Sequence, residues 1–390
     1  MNSRERVMTA LDHREPDRVP IDLGASVVTS IALSTCAELR DYLGLPRKPI
    51  ETLETVQQIA VVDDDLLEVF GVDVLPVLSN PPAGYQPVFA DEGERGESFK
   101  DEFGATLRRP KGGFYYDWQE FPLGEPSIEA LRRMPWPDPA DPARYRGLRQ
   151  RVQALRAGSD KALFGMAPCG HDLFNQLLRV RGMEEGLMDL VAEPDFAEAF
   201  LDRLTDTIIT AQGLFLDQVG DLIDVHFTAD DLSGQTSPLI APALYRRMIK
   251  PRWARIMEAI RARTKAKIFY HGCGAIGPFL PDLIEIGVEI INPVQVSARG
   301  MDTAELKKKY GRELSFWGGG CDTQRVLSVG RPEEVRREVR RRISDLAPGG
   351  GFVFNPVHNI QPCVPPANVA ALFQAAREFG RYPINAAGYL

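Results

Sequence analysis

The sequence predicts an α/β protein folded as a single (β/α)8 TIM-type barrel, with an inserted β-hairpin in its N-terminal half. Short apolar, β-prone segments alternate with amphipathic helical segments from residue 162 to residue 379. This alternation is typical of parallel strands joined by crossover helices. With the strands predicted near the N-terminus the count reaches about eight, the number that closes a barrel. No Gly-x-Gly-x-x-Gly turn follows the first strand, so an open, doubly wound sheet is the less favoured alternative.

Composition places the chain among globular proteins with a large core. Its 390 residues are 44% hydrophobic and 26% charged, and its formal net charge is −8. An acidic balance argues against binding to nucleic acid as the main task. Val335, Val339 and Ile343 recur at helical spacing through and beside the basic run 336–342, so this run is interpreted as the solvated face of an amphipathic helix.

The same composition argues against a membrane protein and against a disulfide framework. No apolar run approaches the roughly 18 residues of a membrane span. The N-terminus carries charges but no signal-peptide core after them. The five cysteines form an odd set in a long chain, which favours reduced thiols and a cytoplasmic location.

The N-terminal elements are predicted from short periodic runs and their caps. Ser3 is a candidate N-cap for the first helix. A strand at residues 18–24 ends in a carboxylate, Asp22, and a glycine turn. The predicted elements of this part are a helix at 3–11, a strand at 18–24, helices at 32–43 and 52–70, and a strand at 72–77.

Residues 79–125 have a different pattern, which we interpret as an inserted hairpin or flap. Residues 101–109 alternate between apolar and polar side chains, as an antiparallel strand does. Lys111-Gly112-Gly113 then predicts a hairpin turn into an aromatic strand at 114–118. Tyr116, together with Tyr115, is expected to close the mouth of the barrel. A proline-rich connector at 122–142 leads back to the barrel.

The remaining chain alternates regularly between the two element types. Its predicted strands lie at 162–166, 222–227, 268–274 and around Ile290, Trp317 and Phe354. Its predicted helices lie at 145–157, 172–180, 182–192, 194–219, 242–264, 278–286, 303–310, 332–347 and 366–379.

The segment 268–274 carries the strongest candidate for a functional site. It is an apolar run closed by His271, Gly272, Cys273 and Gly274. Side chains two residues apart on a strand point to the same face, so the imidazole and the thiol converge if the strand continues through both. A buried structural pair without a metal is the alternative.

Other polar groups fall at the predicted strand ends, which meet at one face of a parallel barrel. Imidazole and thiolate ligands suit Zn²⁺, which binds catalytically through three protein ligands and one open position. Either His358 or Cys321 is expected to supply the third ligand beside His271 and Cys273. The side chains expected to bind substrate are Asp22, Tyr116, His171, Gln235, Asn292 and Asn355.

The acidic pair Asp230-Asp231 follows an apolar strand. One carboxylate is expected to cap the next turn. The other is expected to face the cavity, where it fixes a substrate cation or acts as a general base. Both are therefore candidate catalytic residues.

Seven segments of the sequence carry a family resemblance, namely 3–7, 17–20, 271–274, 287–293, 316–322, 349–361 and 365–369. In these segments the chain resembles the uroporphyrinogen decarboxylase superfamily, in particular its cobalamin- and corrinoid-linked zinc methyltransferase branch. The resemblance covers nearly all of residues 1–390 as one domain. It implies a single (β/α)8 barrel, and zinc held by a His-x-Cys pair with a distant cysteine. The pair corresponds to His271 and Cys273, whereas the distant cysteine is replaced by His358.

The resemblance implies a zinc-dependent methyltransferase that moves a methyl group between a corrinoid and a small thiol or methylated substrate. The sequence has no cobalamin-binding Asp-x-His-x-x-Gly segment, so the corrinoid is expected on a partner protein. A homodimer is left open.

Two other functions are weighed against it. A metal-free decarboxylase would use Asp22 or Asp230 to stabilise a protonated intermediate. The first strand, however, lacks the arginine cluster that the true decarboxylases use to bind an acidic tetrapyrrole. The third alternative is a non-catalytic barrel that binds a ligand. Metal analysis separates the first function from the second.

Overall fold

The computed structural model describes residues 1–384, and the last six residues of the predicted domain lie outside this range. Seven strands within 1–384 form one parallel sheet in which neighbours in the sheet are successive strands of the barrel. The predicted α/β barrel is therefore confirmed. The strands are Val74–Leu78, Ala162–Met166, Val225–Ala229, Lys267–His271, Ile290–Asn292, Ser315–Trp317 and Phe352–Val353.

The backbone around Ile21 occupies the eighth strand position. On one side, the Phe354 N–H donates to the Pro20 carbonyl (2.8 Å) and the Asp22 N–H donates to the Phe354 carbonyl (2.9 Å). On the other side, the Asp73 N–H donates to the Ile21 carbonyl at 2.8 Å. This segment therefore joins the last strand of the sheet to the first and closes the cylinder.

The barrel interior is filled by aromatic side chains from alternate positions of the strands. The ring centroids of Phe164 and Phe269 lie 4.9 Å apart, and Trp317 lies 5.5 Å from Phe164. Phe227 stacks on Phe269 at 5.6 Å. Because these rings fill the centre, a ligand has room only above them, at the carboxyl ends of the strands.

Helices surround the sheet and bury their apolar faces against it. None of the helices within 1–384 is both long and apolar enough to cross a membrane. The α-helices are Ser3–Leu11, Leu33–Tyr42, Asp64–Phe70, Ile128–Arg133, Leu148–Gly158, Phe174–Arg181, Met183–Ala192, Pro194–Val219, Pro242–Leu244, Lys250–Arg261, Leu280–Glu285, Thr303–Tyr310, Pro332–Leu346 and Pro366–Phe379.

Short 3-10 and π turns complete the connections. The π turn Tyr245–Ile249 interrupts the long helix predicted at 242–264, where Pro251 cannot donate a helical hydrogen bond. A second π turn, Thr323–Leu327, follows the strand that ends at Trp317. The 3-10 turns are Gly93–Arg95, Pro142–Tyr145 and Gly277–Phe279.

Two N-terminal predictions were wrong. The first helix is capped by Asn2 instead of Ser3: Asn2 Oδ1 accepts from the Glu5 N–H at 2.8 Å and the Glu5 carboxylate accepts from the Asn2 N–H at 3.0 Å. The helix predicted at 52–70 begins only at Asp64, behind an Asp63 cap. Its first half instead forms two short strands, Thr52–Glu54 and Ile59–Ala60. Ile59–Ala60 pairs antiparallel with both Thr52–Glu54 and Ile31–Ala32.

Where the sequence predicts a hairpin, the structure has a four-stranded antiparallel sheet, called the flap sheet below. It has a small core of its own, formed by Phe99, Ala105, Leu107 and Tyr116. The Tyr116 N–H donates to the Val56 carbonyl, in the loop between Thr52–Glu54 and Ile59–Ala60, at 2.9 Å. The strands of the flap sheet are Ala90–Asp91, Glu97–Lys100, Thr106–Arg109 and Asp117–Glu120.

Candidate metal centre

Three side chains at the carboxyl ends of the strands converge on one point. A ring nitrogen of His271, the sulfur of Cys273 and a ring nitrogen of His358 all lie within 4.8 Å of one another. The Cys273 Sγ lies 3.5 Å from His271 Nε2. Two imidazoles and a thiol form a donor set that suits zinc, with one tetrahedral position left for another ligand.

The sequence predicts that His271 and Cys273 converge because one strand continues through both. They do converge, but by a different route. The strand ends at His271. The chain then turns, with Gly274 at a φ of +85°, where an added Cβ would collide with the Ser233 and Gly234 carbonyls. The Cys273 N–H donates to Asp231 Oδ1 at 2.7 Å, which holds the turn against the neighbouring loop.

Asn292 orients His271. The Asn292 Nδ2 donates to the Trp317 carbonyl at 2.7 Å, so its Oδ1 is the atom that faces His271 Nδ1, at 2.6 Å. An amide oxygen can only accept, so Nδ1 carries the hydrogen and the Nε2 lone pair points to the cluster. The sequence predicts Asn292 as a substrate-binding residue, whereas the structure places it behind the imidazole.

Asn359 orients His358 in the same way, and the sequence analysis missed it. Its Oδ1 lies 2.8 Å from His358 Nδ1. Burial, followed by the nearby His271, lowers the pKa of His358 to about 4, which keeps the ring neutral as a metal ligand requires. Asn359 directly follows His358, a predicted ligand, and this position could have drawn attention to it. Nothing in the sequence, however, shows that its amide turns back toward the ring.

Cys273 is the third donor. Burial and the neighbouring Asp231 carboxylate raise the pKa of its thiol well above the usual value. A metal ion binds the thiolate, so binding at this position releases a proton.

Cys321, the alternative third ligand, lies outside the cluster. Its side chain is fully buried, and its Sγ lies 3.8 Å from the Asp322 carbonyl. Burial raises the pKa of its thiol well above the usual value. Cys321 therefore packs as an apolar side chain in the main core.

The two acidic residues have different roles. Asp230 is buried and accepts from the N–H groups of Phe174 (3.0 Å) and Asn175 (3.1 Å) and from Trp253 Nε1 (3.1 Å). Burial raises the pKa of Asp230 to about 7, opposed by these hydrogen bonds. Asp231 is partly exposed, and its Oδ1 lies 3.8 Å from His271 Nε2. Asp230 therefore caps a helix, and Asp231 alone borders the cluster.

The cluster borders a cavity of about 600 Å³. The flap sheet forms one wall, and Arg179 stands beside it with its guanidinium 5.0 Å from the Trp118 ring and Nη1 2.6 Å from Asp172. The lining residues are Val56, Gln57, Tyr115, Tyr116, Asp117, Trp118, Arg179, Cys273, Gln295, Thr323, Gln324, Ser328, Val357, His358 and Gln361.

Among the predicted substrate-binding residues, Tyr116 lines the cavity, although its hydroxyl is bonded to Glu97. Gln235 is exposed and does not line it. Gln295 takes that place, with its Oε1 accepting from the Gly274 N–H at 2.7 Å. His171 packs edge-on against Phe227, with ring centroids 4.9 Å apart, and burial lowers its pKa to about 4.

Asp22 and Asn355 lie deeper, outside the cavity lining. The Asp22 Oδ2 accepts from Trp317 Nε1 at 2.9 Å, and burial raises the pKa of Asp22 to about 7. The Asn355 Nδ2 donates to the carbonyls of Asp22 and Thr29, each at 3.0 Å. Both are fully buried, so they brace the backbone next to Ile21, and the prediction that they contact substrate is not supported.

Comparison with known proteins supports the same fold. Residues 120–379 match the family described as Uroporphyrinogen decarboxylase (URO-D). A uroporphyrinogen decarboxylase of Pseudomonas syringae pv. tomato is 32% identical over 102 residues, 26% of this chain and 27% of that protein. The chain thus spans about a quarter of that relative's length. One from Methylococcus capsulatus is 23% identical over 259 residues, 64% of this chain and 68% of that protein.

A solved structure has the same fold along almost the whole chain. A methyltransferase from Methanosarcina mazei superposes with a TM-score of 0.63 at 18% identity, covering 97% of this chain and 99% of that one. At this identity the likeness shows the fold alone.

Proposed function

We propose that this chain, which belongs to the uroporphyrinogen decarboxylase family, is a zinc-dependent methyltransferase within that family. It moves a methyl group between a corrinoid, carried by a partner protein, and a small thiol or methylated substrate. The observation that carries this proposal is the convergence of His271, Cys273 and His358 beside a cavity. A decarboxylase that works without a metal has no need of such a donor set.

The orientation of the ligands supports a metal rather than a buried polar cluster. Both rings direct Nδ1 to an asparagine oxygen, so each keeps an Nε2 lone pair for the cluster. Without a metal, the Cys273 thiol can donate to His271 Nε2, 3.5 Å away, whereas zinc would use the lone pairs of both rings and the thiolate together. The distant cysteine implied by the resemblance is replaced by His358, which keeps the ligand number at three.

Zinc in such a site lowers the pKa of a bound thiol or polarises an oxygen of a methylated substrate. Residues of the chain would orient the substrate and exclude water. Asp231 stands beside the cluster, where it can orient a substrate group or accept its proton. Tyr115 and Trp118 of the flap sheet cover the cavity and limit the access of water.

The cavity charges favour this function over decarboxylation of a porphyrinogen. An acidic tetrapyrrole needs several cations, whereas Arg179 is the only arginine or lysine among the described residues that line the cavity. Its guanidinium is already paired with Asp172. Asp22, the candidate acid for a decarboxylase, is fully buried below the cavity.

Metal analysis of the purified protein tests the proposal. We expect about one zinc per chain in the wild type, as for a catalytic site. His271→Ala, Cys273→Ala and His358→Ala each remove a ligand and should lower the zinc content well below one. The matched control is Cys321→Ala, which removes a buried thiol outside the cluster and should keep the zinc.

Activity is tested separately with methylcobalamin as methyl donor and 2-mercaptoethanol as acceptor. Loss of the methylcobalamin absorbance should require both the wild-type ligands and bound zinc. Zinc content that is unchanged in His271→Ala would overturn the ligand assignment. Conversion of uroporphyrinogen by a zinc-free protein would instead establish the decarboxylase alternative.

A further inference from the structure

A single buried asparagine connects His358 to two glutamines in the cavity wall. Asn359 is fully buried. Its Nδ2 donates to the Val27 carbonyl at 2.9 Å and lies 3.0 Å from Gln57 Oε1. Its Oδ1 accepts from His358 Nδ1, at 2.8 Å, and from Gln361 Nε2. Gln57 and Gln361 both line the cavity. All four hydrogen bonds that one amide can form are therefore assigned.

The Val27 carbonyl fixes the direction of every bond in this network. A backbone carbonyl can only accept, so the NH2 group of Asn359 must face it and the amide oxygen must face the other way. That oxygen obliges His358 to carry its hydrogen on Nδ1, and obliges Gln361 to present its NH2 group. The NH2 group of Asn359 in turn obliges Gln57 to present its oxygen.

The outer ends of the two glutamines then have opposite polarity. Gln57 keeps its Nε2 hydrogens, and Gln361 keeps its Oε1, without a partner among the described residues that line the cavity. The cavity therefore displays one donor and one acceptor of fixed identity. Both belong to the same hydrogen-bond network as a metal ligand.

We infer that Asn359 is a positioning residue for His358, and that Gln57 and Gln361 bind a neutral substrate group that both accepts and donates a hydrogen bond, such as a hydroxyl or a primary carboxamide. This inference rests on the proposed function and specifies its substrate class. A carboxylate has no hydrogen to donate to Gln361, and an ammonium has no lone pair to accept from Gln57. Arg179, the one arginine or lysine that lines the cavity within residues 1–384, is held by Asp172.

The positioning role is tested by zinc affinity, measured in competition with a chromophoric chelator. Asn359→Leu removes the acceptor for His358 Nδ1, and we expect zinc affinity to fall by about 10- to 100-fold. Asn359→Asp keeps an acceptor oxygen for His358 Nδ1 but cannot donate to the Val27 carbonyl, so it should recover only part of the affinity. The matched control is Asn368→Leu, which removes another buried amide, bonded to the Leu327 and Gly330 carbonyls at 2.9 and 2.8 Å. It should bind zinc as the wild type does.

The substrate class is tested with benzyl alcohol, benzamide, benzoate and benzylammonium, four probes of similar size with different polar groups. Saturation-transfer NMR on the purified protein should detect binding of the first two and much weaker binding of the charged pair. Gln57→Leu and Gln361→Leu should each weaken the neutral probes by roughly tenfold, the loss of one hydrogen bond. Tighter binding of benzoate or benzylammonium than of both neutral probes would overturn the assignment.

The outcomes separate this inference from the proposed function. If the wild type holds no zinc, the proposed function fails whatever the variants do. If the wild type holds zinc and Asn359→Leu binds it as tightly as Asn368→Leu, the inference fails and the proposed function stands. Circular dichroism of each variant shows whether a loss of binding comes from unfolding.

Discussion

At the site, the orientation of each polar side chain follows from which hydrogen bonds its atoms can donate or accept. Asn292 and Asn359 each use a backbone carbonyl to fix their amide, and each amide fixes a histidine tautomer. The adjacent carboxylates Asp230 and Asp231 differ for the same reason. The first is surrounded by N–H donors of a helix start, whereas the second accepts from the Cys273 N–H and borders the cluster.

Buried histidines away from the cluster make stability depend on pH. His226 is fully buried on its strand, with Nε2 2.5 Å from Gln212 Oε1. Burial is the largest cause that lowers the pKa of His226 to about 3. In the unfolded chain the pKa is about 6.5. The contribution of His226 is therefore fully present above about pH 6.5 and is lost as the pH falls toward the folded pKa.

Replacing His226 with glutamine should remove this dependence, because an amide does not titrate and can still donate to Gln212. Relative to His226→Gln, we expect the wild type to lose about 1.4 kcal/mol of unfolding free energy per pH unit between pH 6 and pH 4. Urea unfolding at pH 7, 6, 5 and 4 measures the difference. Parallel pH profiles of the two proteins would contradict the prediction.

At the level of elements, the barrel strands and the flap sheet are stabilised separately. The strands share one extensive core with the surrounding helices. The flap sheet has its own small core, in which the rings of Phe99 and Tyr116 lie 5.0 Å apart. A small, separate core can open without the whole protein unfolding. We therefore expect the flap sheet, which borders the cavity, to open without unfolding of the barrel.

Leu107→Ala tests this independence. Leu107 is fully buried in the flap core, and its truncation should destabilise the flap sheet locally by about 2–4 kcal/mol. We expect faster proteolytic cleavage within residues 79–125, with little change in the urea midpoint of the barrel. Leu163→Ala, at a fully buried barrel position, is the control and should shift the midpoint. A shift of the global midpoint by Leu107→Ala of the same size would contradict the separation.

For the whole molecule, we expect closure of the barrel to depend on ion pairs that hold the segment around Ile21, the eighth strand position. Asp73 is fully buried. Its carboxylate lies 2.7 Å from both Arg6 and Arg18, and it accepts from the Ile21 N–H at 2.8 Å. The N-terminal helix and the closing strand position are thus attached to the same carboxylate. Val7 of that helix packs into the barrel interior, so the N-terminal end of the barrel is covered.

Asp73→Asn should lower the global unfolding free energy by about 3–5 kcal/mol, since it leaves two arginines without their buried partner. Asp221→Asn is the matched control. It breaks an exposed pair with Arg149 and should cost less than about 1 kcal/mol. Urea unfolding of both variants at pH 7 checks the prediction, which is wrong if the two losses are equal.

Much of the fold was predictable because hydrophobic periodicity is a local property. The strand Ala162–Met166 and the helices Pro194–Val219, Thr303–Tyr310 and Pro366–Phe379 begin and end where the sequence predicts. The helix predicted at 52–70 was wrong in its first half. There, pairing of Ile59–Ala60 with a distant strand overrode the helical spacing.

The candidate site was predictable only in part. A barrel brings strand ends together, so His271, Cys273, Asp231 and His358 were identifiable from their positions after apolar runs. Gln235 was assigned to the cavity because it follows such a run, yet the loop carries it to the surface. Arg179 was missed because it lies within the helix Phe174–Arg181. Gln295 follows the strand Ile290–Asn292 closely, but spacing along the chain does not show which loop side chain points into the cavity.

The sequence by itself determined the alternation of strands and helices, the family and the His-x-Cys pair, since each of these is written in neighbouring residues. The tertiary structure alone decided that His358 and not Cys321 joins the pair, and that Asn359 and Asn292 hold the rings. His358 is far along the chain from His271 and Cys273, and even Asn359, its neighbour in sequence, meets the ring only because its side chain turns back toward it. These relations depend on where each side chain points after its strand has ended, and spacing along the chain does not fix that direction.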